Sequence, residues 1–293
     1  VIVKTSDTRI TAFDLITGQR VWHYQGQAPA LTLRAFSQMA WSPAGILVGQ
    51  ANGRLMALNP NDGRVVFDAV IGQAKGITEV ERLIDVVGRP WVDQELMCAA
   101  AFQGNVVCMN VQNGRLVWNA KVDAVTGPVA TADGTGGMVL AWSDLRSAPR
   151  AIFANRITTS GSHQWTRNGV RVSTGAGAQV TPSVASDGAG GVFVAWQDSR
   201  NGNADIFAQH VLADGSLAWG ASGVAVCTDD STQESPQIVA DRMGGAVVSW
   251  EDRRNNSLTS TQVYLQRLAA SGAVRFAANG ISVDGNSSTT RAR

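Results

Sequence analysis

Along most of the chain, apolar and polar residues alternate in short runs, and each run ends near Gly, Asn or Asp. A period of two turns one face of an extended strand to a core and the other to water; an amphipathic helix needs a period near 3.6. Almost no stretch carries the longer period, so an all-β chain is expected. Three early passages, "RITAFDLITGQRVWHY", "GRLMALNPNDGRVVFDA" and "GNVVCMNVQNGRLVWNA", share one design. An alternating run leads to a turn built on TG, DG or NG, then come Arg, an apolar pair and an aromatic, the pattern of a β-hairpin. The turn glycines Gly18, Gly63 and Gly114 stand 45 and then 51 residues apart, which suits four short strands per unit. A further apolar strand precedes each hairpin ("VIVKTSD", "GILVGQAN", "ELMCAAAFQ"). Weaker inner strands are expected near Met39 to Trp41 and Arg89 to Asp93, and the first unit has none.

From about Thr126 the design changes. "GGMVLAWSDLR", "GGVFVAWQDSR" and "GGAVVSWEDRR" place Trp142, Trp196 and Trp250 at intervals of 54, and Asp144, Asp198 and Asp252 keep the same step. So do Arg146, Arg200 and Arg254, and Pro128, Pro182 and Pro236. "AIFANRI", "DIFAQHV" and "QVYLQRL" supply a third strand, and "HQW…NGVRV", "LAWGASGVAV" and "VRFAANGISV" a fourth. Repeats of four strands at this period point to a single β-propeller of about six four-stranded blades, the first lacking its inner strand. An all-β sandwich pair is the rival, and it does not require a strict repeat of Trp, Asp and Arg. Residues 1–124 are expected to form three blades and residues 125–293 three more, of 54 to 57 residues, with the seam inside "RLVWNAKVDAVTGPVATADG". The first blade can close with three strands, be filled by the tail, or be completed by a second molecule, so a monomer or a dimer is expected.

The two sets of blades resemble different families. "APALTLRAFS" and "EVERLIDVVGRP", with the "NGRLVW" blade endings, are similar to loops and repeats of the BamB family of the bacterial outer-membrane assembly machinery, an eight-bladed propeller of pyrroloquinoline-quinone-type repeats. The resemblance implies a surface for the periplasmic domains of BamA, carried by Leu31, Leu33, Arg34 and Asp85, and a periplasmic parent. The chain departs from that pattern at Ala35 and Val87. On the residues alone, Leu31 and Leu33 can close a strand onto the core, and Arg34 can pair with Asp85. Residues 125–293 resemble the "DGxGGxxVAWxDxR" blades of large secreted or cell-surface bacterial proteins. Joining the two suggests a recombined or engineered chimera, since natural propellers grow by duplication of related blades.

Composition narrows the chemistry. The 293 residues are 44% hydrophobic and 16% charged with a net charge of +1, so no concentrated positive field for nucleic acid exists. No span of about 18 apolar residues is present. Cys98 and Cys108 can face each other across a hairpin, and two small buried thiols are favoured there over a bond; Cys227 has no mate. The three histidines, His23, His163 and His210, sit in unrelated contexts and suggest neither a metal site nor a catalytic triad. The turn "CTDDSTQES" lacks calcium-loop spacing, and no metal or cofactor, quinone included, is expected. In each "WxDxR" copy the indole, carboxylate and guanidinium share one face of a strand. They can form a structural pin, or a rim of arginines for anionic sugars. The expected function is a non-enzymatic scaffold with residual protein binding in the first half; the alternative is a natural secreted propeller that binds glycans or proteins at one rim.

Overall fold

The structure, a computed structural model, describes residues 1–5, 8–26, 38–73, 84–102, 105–121, 129–133, 137–146, 148–158, 160–254 and 261–283. Contacts divide the chain into two compact units. One comprises Val1–Val129, Asp144–Arg146 and Thr159–Ser162; the other comprises Ala130–Ser143, Ser147–Thr158 and His163–Arg293. The fold is all-β and of propeller type, with six sheets among the described residues, five of four strands and one of three.

In the first unit β1 (Ile2–Lys4), β2 (Arg9–Phe13) and β3 (Arg20–Gln25) form the three-stranded sheet. β4 (Met39–Ser42), β5 (Gly45–Gly49), β6 (Arg54–Leu58) and β7 (Val65–Val70) form the next. β8 (Val86–Val92), β9 (Leu96–Ala101), β10 (Asn105–Asn110) and β11 (Leu116–Lys121) form the third. The inner strands β4 and β8 lie where the alternation placed them, and the first sheet has three strands as expected. Leu47, Leu55, Met97 and Ala99 belong to one buried cluster, and Ile10, Trp22, Ile46 and Leu58 to another.

The second unit holds nearly all of the other three sheets. They are β12 (Val129–Ala132), β13 (Gly137–Asp144), β14 (Ala151–Thr158) and β15 (Val170–Arg171); β16 (Gln179–Ser186), β17 (Val192–Asp198), β18 (Asp205–Val211) and β19 (Val224–Cys227); and β20 (Gln233–Ala240), β21 (Ala246–Asp252), β22 (Gln262–Leu268) and β23 (Ile281–Ser282). The repeated prolines mark bulges: the ladder slips between Val180 and Ser183 and between Glu234 and Gln237. Thr181 and Ser235, just before Pro182 and Pro236, have φ of 51° and 55°. Pro128 lies outside the described residues.

The fourth strands are shorter than the alternation suggests. Each is reduced to one bridge (Ile157 to His163, Val211 to Leu217, Leu268 to Val274), a turn, and a short final strand. The break is built into the repeat: Gly169 and Gly223 have φ of 82° and 71°, and a Cβ there would come within 2.8 and 2.7 Å of the Trp142 and Trp196 rings. A buried amide caps the break. Gln209 accepts from Trp219 N at 2.9 Å and donates to Gly220 O at 2.6 Å; Gln266 accepts from Phe276 N and donates to Ala277 O, both at 2.8 Å. Asn155 donates to Thr166 O and Arg167 O. The backbone groups freed by the break are thereby paired.

Both designs use one device between consecutive sheets. An outer aromatic lies over the turn glycine of the next sheet and donates to a backbone carbonyl beside it. Trp22 Nε1 reaches Pro60 O, Trp165 Nε1 reaches Ala213 O and Trp219 Nε1 reaches Ala270 O, each at 2.9 Å. Gly63, Gly215 and Gly272 beneath them have φ of 73°, 87° and 84°. Trp22, which closes the first hairpin motif, is therefore a staple between sheets as well as a core residue, and Phe67 of the second lies against Gly114 without a donor.

One cross-strand pair breaks the repeat. Val247 lies opposite Arg267, which binds Asp241 at 2.9 Å, whereas Phe193 lies opposite His210, which binds Asp187 at 2.9 Å. The larger apolar residue accompanies the smaller partner, and the two rings sit 4.3 Å apart. Phe193→Val opens a void and His210→Arg overpacks against Phe193, so each alone is expected to cost roughly 1–3 kcal/mol. The double variant should recover at least half of the summed loss in urea unfolding; simple additivity would show that the two positions are not coupled.

Candidate functional site

The strongest chemical pattern in the sequence, Trp-x-Asp-x-Arg, folds into a clamp at the end of the second strand. Trp196 and Trp250 are buried, as are Asp198 and Asp252. Their indole Nε1 groups donate to Asp198 Oδ2 at 2.9 Å and Asp252 Oδ2 at 2.8 Å. The other carboxylate oxygen accepts the backbone N–H two residues on: Arg146 N to Asp144 at 2.8 Å, Arg200 N to Asp198 at 3.0 Å and Arg254 N to Asp252 at 2.9 Å. The guanidinium then folds back onto the same carboxylate, at 2.7 Å for both Arg146 with Asp144 and Arg254 with Asp252.

Further partners fix the arginines. Arg200 Cζ lies 3.8 Å above the Phe207 ring and Arg254 Cζ 3.8 Å above Tyr264. Arg200 also donates to Ser222 O and Ser173 Oγ, and Arg254 to Asn279 O and Cys227 Sγ. Burial alone would raise the Asp198 carboxyl, but the donors from Arg200 and Trp196 outweigh it and hold it below the usual carboxylate range. Trp142 is fully buried like its two counterparts. Each copy thus ties a turn to the strand it leaves, and the Arg200 and Arg254 guanidinium donors reach both their own sheet and the preceding one.

The residues carried by the resemblance fall elsewhere. Leu31, Leu33 and Arg34 lie outside the described residues. Asp85 is only 4% exposed; its backbone carbonyl accepts from Phe102 N at 2.8 Å, and its charge acts on Lys4. Lys4 Nζ donates to Gly49 O at 3.0 Å. Burial, opposed in part by Asp85, lowers the Lys4 ammonium from 10.5 to about 8. The unfolded chain then binds more protons than the folded one between those values, so stability rises with pH across that window and the penalty is full below pH 8. Lys4→Met, which removes the charge and also the bond to Gly49, is expected to gain roughly 1–2 kcal/mol at pH 7. Urea unfolding at pH 7 and pH 10.5 should show the gain fading at the higher pH; a gain equal at both would refute the assignment.

A second feature was not legible in the sequence. A groove of about 610 Å³ opens in the first unit between the first two sheets, lined by Ile2, Ala12 and Trp22 on one side and Met39, Trp41 and Pro60 on the other. The expectation of two separate thiols in the third sheet needs correction: Cys98 and Cys108 form a disulfide. They are direct cross-strand partners in β9 and β10, which brings their Cα atoms to 4.1 Å. The alternation put both side chains on one face but could not establish that they stand opposite each other. Cys227 is a free, buried thiol. No group of three or more His, Cys, Asp or Glu with metal-site geometry occurs among the described residues, and no helix of the described residues is long and apolar enough to cross a membrane.

Known proteins share parts of this chain. Residues 1–135 match the family PQQ_2, described as outer membrane protein assembly factor BamB. The BamB of Bordetella pertussis is 38% identical over 130 residues, covering 44% of this chain and 34% of its own length. That of Kangiella koreensis is 29% identical over 211 residues, covering 71% of this chain and half of its own length. The chain therefore spans about a third to a half of the length of these curated relatives. Among solved structures, BamB from Moraxella catarrhalis superposes with a TM-score of 0.57 at 19% identity, over 94% of this chain and 68% of that one. A quinohemoprotein alcohol dehydrogenase from Comamonas testosteroni superposes with a TM-score of 0.53 at 13% identity, over 96% and 59%. These structures share the fold alone, and the match to the BamB family model covers residues 1–135.

Proposed function

We propose that this chain is a non-enzymatic β-propeller scaffold, a recombined or engineered chimera of two propeller families joined near residue 125, with protein binding retained by the BamB-like part. The observation that carries this reading is the division of labour along the chain. The match to the BamB family model ends at residue 135, and the repeat beyond it spends its Trp, Asp and Arg side chains on internal clamps. The buried Cys98–Cys108 disulfide fits a parent that folds outside the cytosol. Partner binding is assigned to the two family-like loops around Leu31, Leu33 and Arg34 and around Asp85, with the periplasmic domains of BamA as the partner class. A rim that binds anionic sugars is less well supported, because Arg200 and Arg254 are already shared among a carboxylate, an aromatic face and backbone carbonyls.

Calorimetric titration of the whole chain with purified periplasmic domains of BamA tests the binding. Saturable binding that weakens about tenfold in Arg34→Ala is expected, the size of one charged interface contact. Silence at several hundred micromolar would remove the binding part of the proposal. Discovery of this same chain intact in a genome would remove the chimeric part.

A further inference from the structure

Within the second unit, two segments bring more oxygen acceptors together than there are donors for them. The turn from β17 to β18 carries Asn201 and Asn203 and ends at Asp205; the segment from β19 to β20 carries Asp229, Ser231 and Gln233. Gln233 N donates to Ala204 O at 2.8 Å, which fixes one segment against the other. Asn203 Nδ2 donates to Asp229 O at 2.8 Å and to Ser231 O at 2.6 Å, and Gln233 Nε2 reaches the same two carbonyls at 3.5 and 2.8 Å. The Asn203 side chain also acts on the Asp205 carboxyl, so one amide nitrogen with two hydrogens serves three acceptors.

Two more acceptors in this cluster have no donor. Asp205 and Gln233 are fully buried. Asp205 Oδ2 accepts from Asn201 Nδ2 at 2.6 Å, but Asp205 Oδ1 has no hydrogen-bond partner, and neither has Gln233 Oε1. Burial, with a smaller push from the charge of Asp198, raises the Asp205 carboxyl. The guanidinium groups nearby are committed to other carboxylates, Arg200 to Asp198 and Arg253 to Glu234. The preceding sheet shows the same repeat position fully paired. Gln179, 54 residues before Gln233, accepts from Ile152 N at 3.1 Å and donates to Asp198 Oδ2 at 3.3 Å. There Pro149 and Ala151 stand in the places of Asn203 and Asp205, so the unpaired oxygens come with the two polar residues.

We propose that this cluster is a calcium site, whose ligands are the Asp205 carboxylate, the side-chain carbonyls of Asn203 and Gln233 and the backbone carbonyls of Asp229 and Ser231, with water completing the shell. Calcium binds carboxylate, carbonyl and water oxygens together and tolerates irregular geometry, whereas magnesium demands a near-ideal octahedron. Half-turns of the two amides put oxygen in the place of nitrogen beside the Asp229 and Ser231 carbonyls, and the cation then pairs acceptors that no donor reaches. A single carboxylate ligand places the site in the weak class, with a Kd on the order of 10⁻⁴–10⁻³ M. It also sets the site apart from clusters of three or more His, Cys, Asp or Glu, which the described residues lack. Sequence spacing conceals such a site, because its ligands come from two separate segments.

The test is calorimetric titration of the whole chain, dialysed against a chelator, with calcium chloride at neutral pH. Saturable one-to-one binding is expected, with magnesium chloride at least about tenfold weaker, a comparison that requires no change to the protein. Asp205→Asn keeps the shape of the side chain and removes its charge, and should weaken calcium at least about tenfold. Asp230→Asn, at an exposed carboxyl of the same segment, should leave the binding unchanged. Calcium should raise the melting temperature of the parent and not that of Asp205→Asn, whose melt without calcium reports that the variant folds. Heat that does not saturate at calcium concentrations well above the expected Kd, or magnesium binding as tight as calcium, overturns the proposal. So does an equal loss in Asp205→Asn and Asp230→Asn, since the ion would then be held by surface charge alone.

Discussion

Asp198→Ala is expected to destabilise the second unit by roughly 3–5 kcal/mol, because it removes one partner of a buried charged pair and strands the other. Arg200 would keep its place over Phe207 but lose both carboxylate oxygens, and Trp196 Nε1 would be left buried without an acceptor. Asp252→Ala repeats the experiment one sheet on, where Trp250 and Arg254 meet the same fate. Urea unfolding followed by tryptophan emission gives the loss directly; a change below about 1 kcal/mol would mean that the clamp only decorates a turn held by other contacts. The pH dependence has a definite sign. The folded-state carboxyl of Asp198 titrates below its unfolded value, so its contribution is present above the usual carboxylate range and is lost as pH falls through the lowered value. The alanine variant should converge with the parent in acid.

Removing the disulfide with Cys98→Ala and Cys108→Ala together should cost about 3 kcal/mol, the entropy released to the unfolded chain by opening a loop with a sequence separation of 10. The same loss should appear when the parent is unfolded in the presence of a reductant. Thiol titration checks the pairing independently. Burial pushes the Cys227 thiol up to about 12, so the native chain should present no reactive thiol. Denatured chain should present one without reductant and three with it. Three thiols in unreduced, denatured protein would show that the bond does not form.

The fold was largely legible. Strand and turn positions are local properties: alternation at period two, with glycines such as Gly18, Gly63 and Gly114 at φ near 70°. The three strands that the first sheet shows among the described residues and the places of β4 and β8 followed from the same alternation. The fourth strands were read as longer than they are, because "HQW…NGVRV" alternates well enough for a strand. The positive φ of Gly169, forced by its approach to the Trp142 ring, cannot be seen in a window of ten residues.

The candidate site was legible only in part. The step of 54 in Trp, Asp and Arg identified the residues of the clamp. Their mutual bonds are also local, since Asp198 meets Trp196 and Arg200 two residues away on either side. The amides Asn155, Gln209 and Gln266 also recur, at steps of 54 and 57, and a buried polar residue inside an alternating strand looks like an ordinary outward position. Asp85 shows the converse: the resemblance implies a place on a docking surface, and its burial was not visible in the alternation.

The sequence by itself determined the strand periodicity and the turns, because each depends on residues within a few positions of one another. Only the tertiary structure decided that Cys98 and Cys108 are bonded, that Trp165 crosses to Ala213, 48 residues away, that Lys4 shares a buried environment with Asp85, and that a groove opens between the first two sheets. Those features depend on which sheet faces show which side chains to one another. A two-residue period tells which face a residue takes, but not what stands across from it.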